Sequence, residues 1–166
     1  MGPTRPKRQF ALDANLMFDL AADVDAAHDF RETFSRKGYL LRLAPTATQE
    51  LFNFHLHAPP QKRALATRAL LNMRAWGISS FDLIAVGHGI AASFAHRLFL
   101  KQLLPPEEFN DGLILAETSM AEIPVLVTSD KHLLDIDETA LRLTSDEADL
   151  FHVIPCHPQA LLRAVR

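Results

Sequence analysis

The segment Val125-Leu126-Val127-Thr128-Ser129-Asp130 decides how this chain reads. Three consecutive apolar residues, two of them β-branched, suit a strand buried on both faces, and the run is too short for a core helix. An acid closes it at Asp130. The same pattern stands near the start, where Phe10-Ala11-Leu12 runs into Asp13. Both acids fall directly after a predicted strand. They therefore belong on the carboxyl edge of the sheet, where open α/β sheets bind ligands.

Reading outward, Gln9 to Leu12 is the first strand and Asn15 to Leu20 a short helix. Asp23 is the expected N-cap of a second helix, which runs to about Lys37 and stops at Gly38. Tyr39 to Leu43 is the second strand. Thr46 and Gln49 fit a capping box opening a third helix, ended by Pro59-Pro60. Gln61 to Ala75 carries apolar positions at Leu65, Ala69, Leu70 and Met73 and closes at Gly77. Ser79 or Ser80 is the expected cap of a long apolar stretch from about Leu83 to Leu104, which Pro105-Pro106 terminates. Gly87 and Gly89 argue against its being one unbroken helix.

Asn110 is the expected cap of the next helix, ending near Glu122. Val125 to Thr128 is the third strand, Asp130 opens a short turn of helix, and Phe151 to Ile154 is a last strand before Pro155. Pro158 to Val165 reads as a short closing helix. Strands alternating with helices imply a parallel sheet covered on both faces. Residues 1–8 read as a flexible lead-in and 9–166 as a single domain.

With 166 residues and 48% hydrophobic content, the chain is long enough for one full core. Charged residues make up 22%, a share that excludes a disordered polyelectrolyte. The net charge is -3, so any basic patch for nucleic acid must be local. The single Cys156 rules out an intramolecular disulfide and fits a reducing compartment. No apolar h-region follows the basic residues up to Arg8, and apolar runs are broken well before the roughly 18 residues of a membrane span. The expected location is the cytoplasm.

Four acids stand where core residues would be expected. Asp13 and Asp130 end strands, Glu50 interrupts the apolar face of the third helix and is expected in its first turn, and Asp111 heads Gly112-Leu113-Ile114-Leu115-Ala116. A buried carboxylate is costly unless it is paired or ligates a metal. Four converging acids without Lys or Arg among them repel one another, and a hard divalent cation, Mg²⁺ or Mn²⁺, removes that repulsion. Such a site suits phosphodiester hydrolysis.

The chain resembles a PIN domain, and among PIN domains the VapC-like toxin ribonucleases. The resemblance is carried by Leu12-Asp13-Ala14-Asn15, Thr46-Ala47-Thr48-Gln49-Glu50-Leu51, Asn110-Asp111-Gly112-Leu113-Ile114-Leu115-Ala116 and Val127-Thr128-Ser129-Asp130. It spans about Gln9 to Leu162, and the surplus length lies within Gly77 to Leu104. It implies a three-layer α/β fold with a mostly parallel sheet of about four or five strands flanked by helices. It also implies cleavage of single-stranded RNA by a Mg²⁺ (or Mn²⁺) ion held on Asp13, Glu50, Asp111 and Asp130. Asn15 and Thr128 would orient those carboxylates by hydrogen bonds. The implied setting is a toxin silenced by a cognate antitoxin.

Other residues carry weaker signals. Asp19, Asp23, Asp25 and Asp29 read as a solvated face, whereas Glu117, Glu122, Asp135 and Asp137 are nearer rivals for the site. His55 and His57 are two apart with no Cys cluster, which argues against zinc. Ser119 and Ser129 lack a His–Asp constellation, Gly87-His88-Gly89 lacks a third glycine, and Asn15 occupies the place where a phosphoaspartate phosphatase wants a second Asp. Arg63, Arg68, Arg74, Arg97 and Lys101 are candidates for RNA phosphates or simply a solvated face. The apolar Gly77 to Leu104 region is core or the face of a homodimer. The alternative to a nuclease is a non-catalytic PIN-like scaffold that binds RNA or protein.

Overall fold

Five short runs, four of them mainly apolar, pair into one sheet in the computed structural model, which describes residues 8–166. In chain order the elements are β1 (Gln9–Leu12), α1 (Ala14–Ala21), α2 (Asp25–Arg36), β2 (Leu40–Leu43), α3 (Pro45–His57), α4 (Pro60–Asn72) and β3 (Ile78–Ser80). They continue with α5 (Ala85–Leu100), a 3₁₀ turn (Pro106–Glu108), α6 (Phe109–Met120) and β4 (Val125–Val127). The last are α7 (Lys131–Leu134), α8 (Glu138–Glu147), β5 (Ile154–Cys156) and α9 (Pro158–Ala164). The strand order is β3-β2-β1-β4-β5 and every pairing is parallel. This is the α/β architecture expected from the sequence.

Most of the expected lead-in, residues 1–7, lies outside the described residues. Arg8 is already tied to the sheet, since its carbonyl accepts from Leu40 N at 2.8 Å. β1 is buried along almost its whole length, with Ala11 and Leu12 at 0% exposure, as a central parallel strand requires. Phe10 anchors an aromatic cluster beneath it, packing on Phe30, Phe34 and Tyr39 at centroid separations of 6.0, 5.0 and 4.5 Å. Among the described residues no helix is long and apolar enough to cross a membrane.

Several local expectations give way to longer-range partners. Asp23 does not cap α2; Val24 does, and Asp23 stands in a left-handed turn (φ 57°) where it grips Arg68 through two bonds of 2.9 and 3.0 Å. Thr46 does not cap α3 either. Ala44 is the N-cap, Pro45 opens the helix, and Thr46 turns to Glu117 on α6. Ser79 and Ser80 belong to β3, an edge strand paired with β2, and not to the start of α5.

α5 is one unbroken helix despite its two glycines, because Gly87, Ala91, Phe94, Ala95 and Leu98 form a buried face. α6 begins at Phe109, with Glu108 and not Asn110 at the cap. α8, capped by Asp137, is a helix that the sequence reading left out. The last strand runs from Ile154 to Cys156, past Pro155, and not from Phe151. β5 is an edge strand, and a proline without an N–H is tolerated there.

α6 lies close against α5 at Gly112. A Cβ built there would meet the Ala95 Cβ at 3.2 Å and the Leu104 Cδ1 at 3.6 Å. We expect Gly112→Val to force the two helices apart and to cost about 1–3 kcal/mol, as overpacking a tight core does. Urea denaturation should show a lower midpoint at unchanged slope.

Candidate active site

The strand order reverses between β1 and β4, and a sheet of this topology leaves its ligand crevice at that switch point, outside the carboxyl ends. Asp13 stands at the end of β1 and caps α1, its Oδ1 accepting from Asn15 N at 2.9 Å. Its N–H donates across the seam to the Val127 carbonyl at 3.3 Å. Thr128, 1% exposed at the end of β4, donates its hydroxyl to Asp13 Oδ2 and accepts from Asp130 N at 3.0 Å. Asp130 in turn caps α7, its Oδ1 accepting from His132 N at 2.8 Å and Leu133 N at 3.4 Å. Asn15 therefore holds Asp13 through its backbone, while its exposed side chain lines the cleft.

A cleft of about 810 Å³ opens over these strand ends and is lined by Asp13, Glu50, Asp111 and Asp130 together. Glu50 comes from the second turn of α3 and Asp111 from the first turn of α6, where the helix dipole favours negative charge. The tightest grouping includes an acid that sequence reasoning passed over: oxygens of Glu108, Asp111 and Asp130 lie within 4.8 Å of one another. The signal for Glu108 was the diproline before it, read only as a terminator. Asp19 also lines the cleft, and burial raises its carboxyl.

The rivals go elsewhere. Glu117 is buried at 2% exposure, its carboxylate accepting from Thr46 N at 3.0 Å and Thr46 Oγ1 at 2.7 Å. It thereby bonds α6 to the buried first turn of α3, the helix that carries Glu50. Asp137 caps α8, and neither Glu122 nor Asp135 lines the cleft. The expected cations are elsewhere too. Arg63 and Arg68 line a separate recess, Arg68 is engaged by Asp23, and Lys101 by Glu147. Lys62, not singled out from the sequence, is the cleft's lysine.

Electrostatically the cluster is strained. Burial above all pushes the Asp13 carboxyl up to about 6, with Asp130 adding repulsion and the Thr128, Asn15 and Leu16 hydrogen bonds opposing. Burial and then Asp13 push Glu50 up to about 7, against a hydrogen bond from the Asn110 side chain. Asp111 rises furthest, through burial first and then its contacts with Glu108 and Asp130. Its Oδ2 is buried and has no hydrogen-bond partner, because two carboxylates can bond to each other only through a shared proton. Among the described residues, no Lys or Arg forms an ion pair with any of the four acids.

These shifts set a sign. Carboxyls raised in the folded chain hold protons that the unfolded chain releases near pH 4, so their stabilisation is complete below about pH 4. It is lost as pH rises through about 6 for Asp13 and about 7 for Glu50. Metal-free protein should be less stable at pH 8 than at pH 5 by thermal melting. Asp130→Asn keeps the cap and removes one repelling charge. It should flatten that slope and raise the pH 8 midpoint by roughly 2–4 °C, the equivalent of about 1 kcal/mol.

No protein-family model matches the chain, and no curated protein sequence does. Solved structures do. The crystal structure of VapBC2 from Rickettsia felis bound to a DNA fragment from their promoter aligns with a TM-score of 0.62 at 14% identity, over 90% of this chain and 98% of that one. The crystal structure of FitAcB from Neisseria gonorrhoeae aligns with a TM-score of 0.50 at 15% identity, also over 90% of this chain and 98% of that one. At these identities the likeness is one of fold. It agrees with the resemblance read from the sequence: the chain has a PIN-like α/β fold.

Proposed function

We propose that this chain is a Mg²⁺- or Mn²⁺-dependent endoribonuclease acting on single-stranded RNA, the toxin of a toxin–antitoxin pair. The observation that supports the reading best is the set of four acids lining one cleft at the switch point, with no Lys or Arg paired to them among the described residues.

The donor set fits such an ion. It is oxygen only, and it includes a buried carboxylate oxygen, Asp111 Oδ2, that lacks a partner. Asp13, Asp111 and Asp130, with Glu50, would hold the ion. Once bound, it lowers the pKa of water and neutralises charge on the phosphate. Thr128 keeps Asp13 Oδ2 in one orientation by donating its hydroxyl, and the α7 cap does the same for Asp130. Glu50 lines the same cleft beside Asp13, where it would hold the ion or orient the water.

The reading extends to partners. A cognate antitoxin is the regulator, and two copies associate through α5. Val86, Ile90 and Leu100 are 64%, 41% and 65% exposed there. They share a face, because separations of four and fourteen residues are close to whole turns.

Cleavage of a labelled single-stranded RNA panel should require Mg²⁺ or Mn²⁺, stop in EDTA, and disappear in Asp13→Asn. Thr128→Val should lower activity or metal affinity by roughly 10- to 100-fold, the usual loss when a group orienting a ligand is removed. Unchanged cutting by Asp13→Asn would sink the reading of this cleft as the nuclease site. No cutting by folded protein that binds Mn²⁺ would favour a scaffold that holds RNA or a protein partner.

A further inference from the structure

Beyond the acids, the same cleft has a wall of different chemistry. Phe18 of α1 and Phe54 of α3 meet edge to face, with centroids 5.3 Å apart and planes at 90°. Lys62, in the first turn of α4, reaches over both rings, its Nζ 4.6 Å from the Phe54 centroid and 5.9 Å from that of Phe18. All three line the cleft with Asn53 and His57. The rings are half-buried, and Lys62, Asn53 and His57 are exposed.

Helical spacing ties this wall to the acids. Asn53, Phe54 and His57 stand three, four and seven residues after Glu50 in α3. One helix face therefore carries the carboxylate and the ring a single turn apart, ~5.4 Å along the axis. Phe18 belongs to α1, the helix that Asp13 caps.

Packing of α1 on α3 accounts for two rings in contact. It does not account for an exposed ammonium over them, in a cleft rich in carboxylates. Lys62 takes part in none of the ion pairs among the described residues. The attraction of a cation to a ring face holds it beside the acids without neutralising them.

We propose that Phe18, Phe54 and Lys62 form a nucleotide subsite for single-stranded RNA, in which a base stacks on the exposed ring surface and Lys62 pairs with the neighbouring phosphate. The inference rests on the nuclease reading of the cleft and adds which part of the substrate is held, and by what. Stacking accepts any base, because every base has a π-face, so the subsite sets affinity and strand register, not base identity. It also selects single strands, whose bases are free to leave the helix.

The test is anisotropy binding of a short fluorescein-labelled single-stranded RNA in Ca²⁺, beside an oligonucleotide of the same length made abasic, with Mn²⁺ affinity read by electron paramagnetic resonance. Phe54→Leu keeps apolar packing and removes the ring. It should weaken binding of the RNA roughly 5- to 150-fold, the range for losing one stacked base, and leave binding of the abasic strand and of Mn²⁺ unchanged. Lys62→Ala should lower the slope of log K against log salt by about 0.7, the value for one single-strand phosphate. Wild-type RNA affinity in both variants overturns the subsite. Equal losses on RNA and abasic strands overturn it as well, because the ring then acts only by packing. A parent protein that binds Mn²⁺ but no RNA overturns the subsite and the RNA reading, whereas one that binds no Mn²⁺ sinks the metal reading itself.

Discussion

Thr128 joins the ends of the two central strands, and the cleft depends on that connection. Its hydroxyl donates to Asp13 Oδ2 at the end of β1, and its oxygen accepts from Asp130 N at the start of α7. The backbone repeats the link, because Asp13 N–H donates to Val127, and Thr128 N–H ties the same strand end to Cys156 on β5. Two acids that repel are thus held on neighbouring strand ends by groups that bond each of them. Without those bonds the carboxylates would turn to solvent, and the fold would bury less charge at its edge.

The same logic reaches the helices that carry the other acids. Glu117 holds the first turn of α3 against α6 through Thr46, so the helices bearing Glu50 and Asp111 meet at a bonded contact. Gly112 lets α6 approach α5 closely, one residue beyond Asp111. Repulsion among acids is therefore opposed from three sides: strand pairing, a buried carboxylate–threonine contact and close helix packing. The fold thus holds a concentration of negative charge at its carboxyl edge, a pattern that clusters at functional sites. The aromatic wall with Lys62 lies a turn away, close enough to share a ligand with the acids and engaged with rings instead of carboxylates.

Much of this was readable along the chain. The strand-then-acid pattern is local, so Asp13 and Asp130 stood out, and the glycines at Gly38 and Gly77 adopt the positive φ that their positions as helix stops required. Glu50 and Asp111 followed from their places near helix starts. The failures share a cause. Thr46, Asp23 and Asn110 each looked like a cap, since small polar residues favour caps, yet each found a partner distant in sequence: Glu117, Arg68 and Glu50. β3 and β5 are three-residue edge strands whose existence comes from pairing, and pairing is not written in a three-residue pattern.

Side-chain period and local acid placement by themselves determined a parallel α/β sheet with acids on its carboxyl edge, because both are properties of neighbouring residues. Only the tertiary structure decided which acids share the cleft, brought Glu108 up to Asp111 and Asp130, and turned Glu117 to Thr46, because each comes from a different element. It also decided which cation serves the cleft. Lys62 and Arg63 are adjacent in sequence, yet they stand a hundred degrees apart on one helix, and only the docking of α4 turns Lys62 to the rings and Arg63 to another recess.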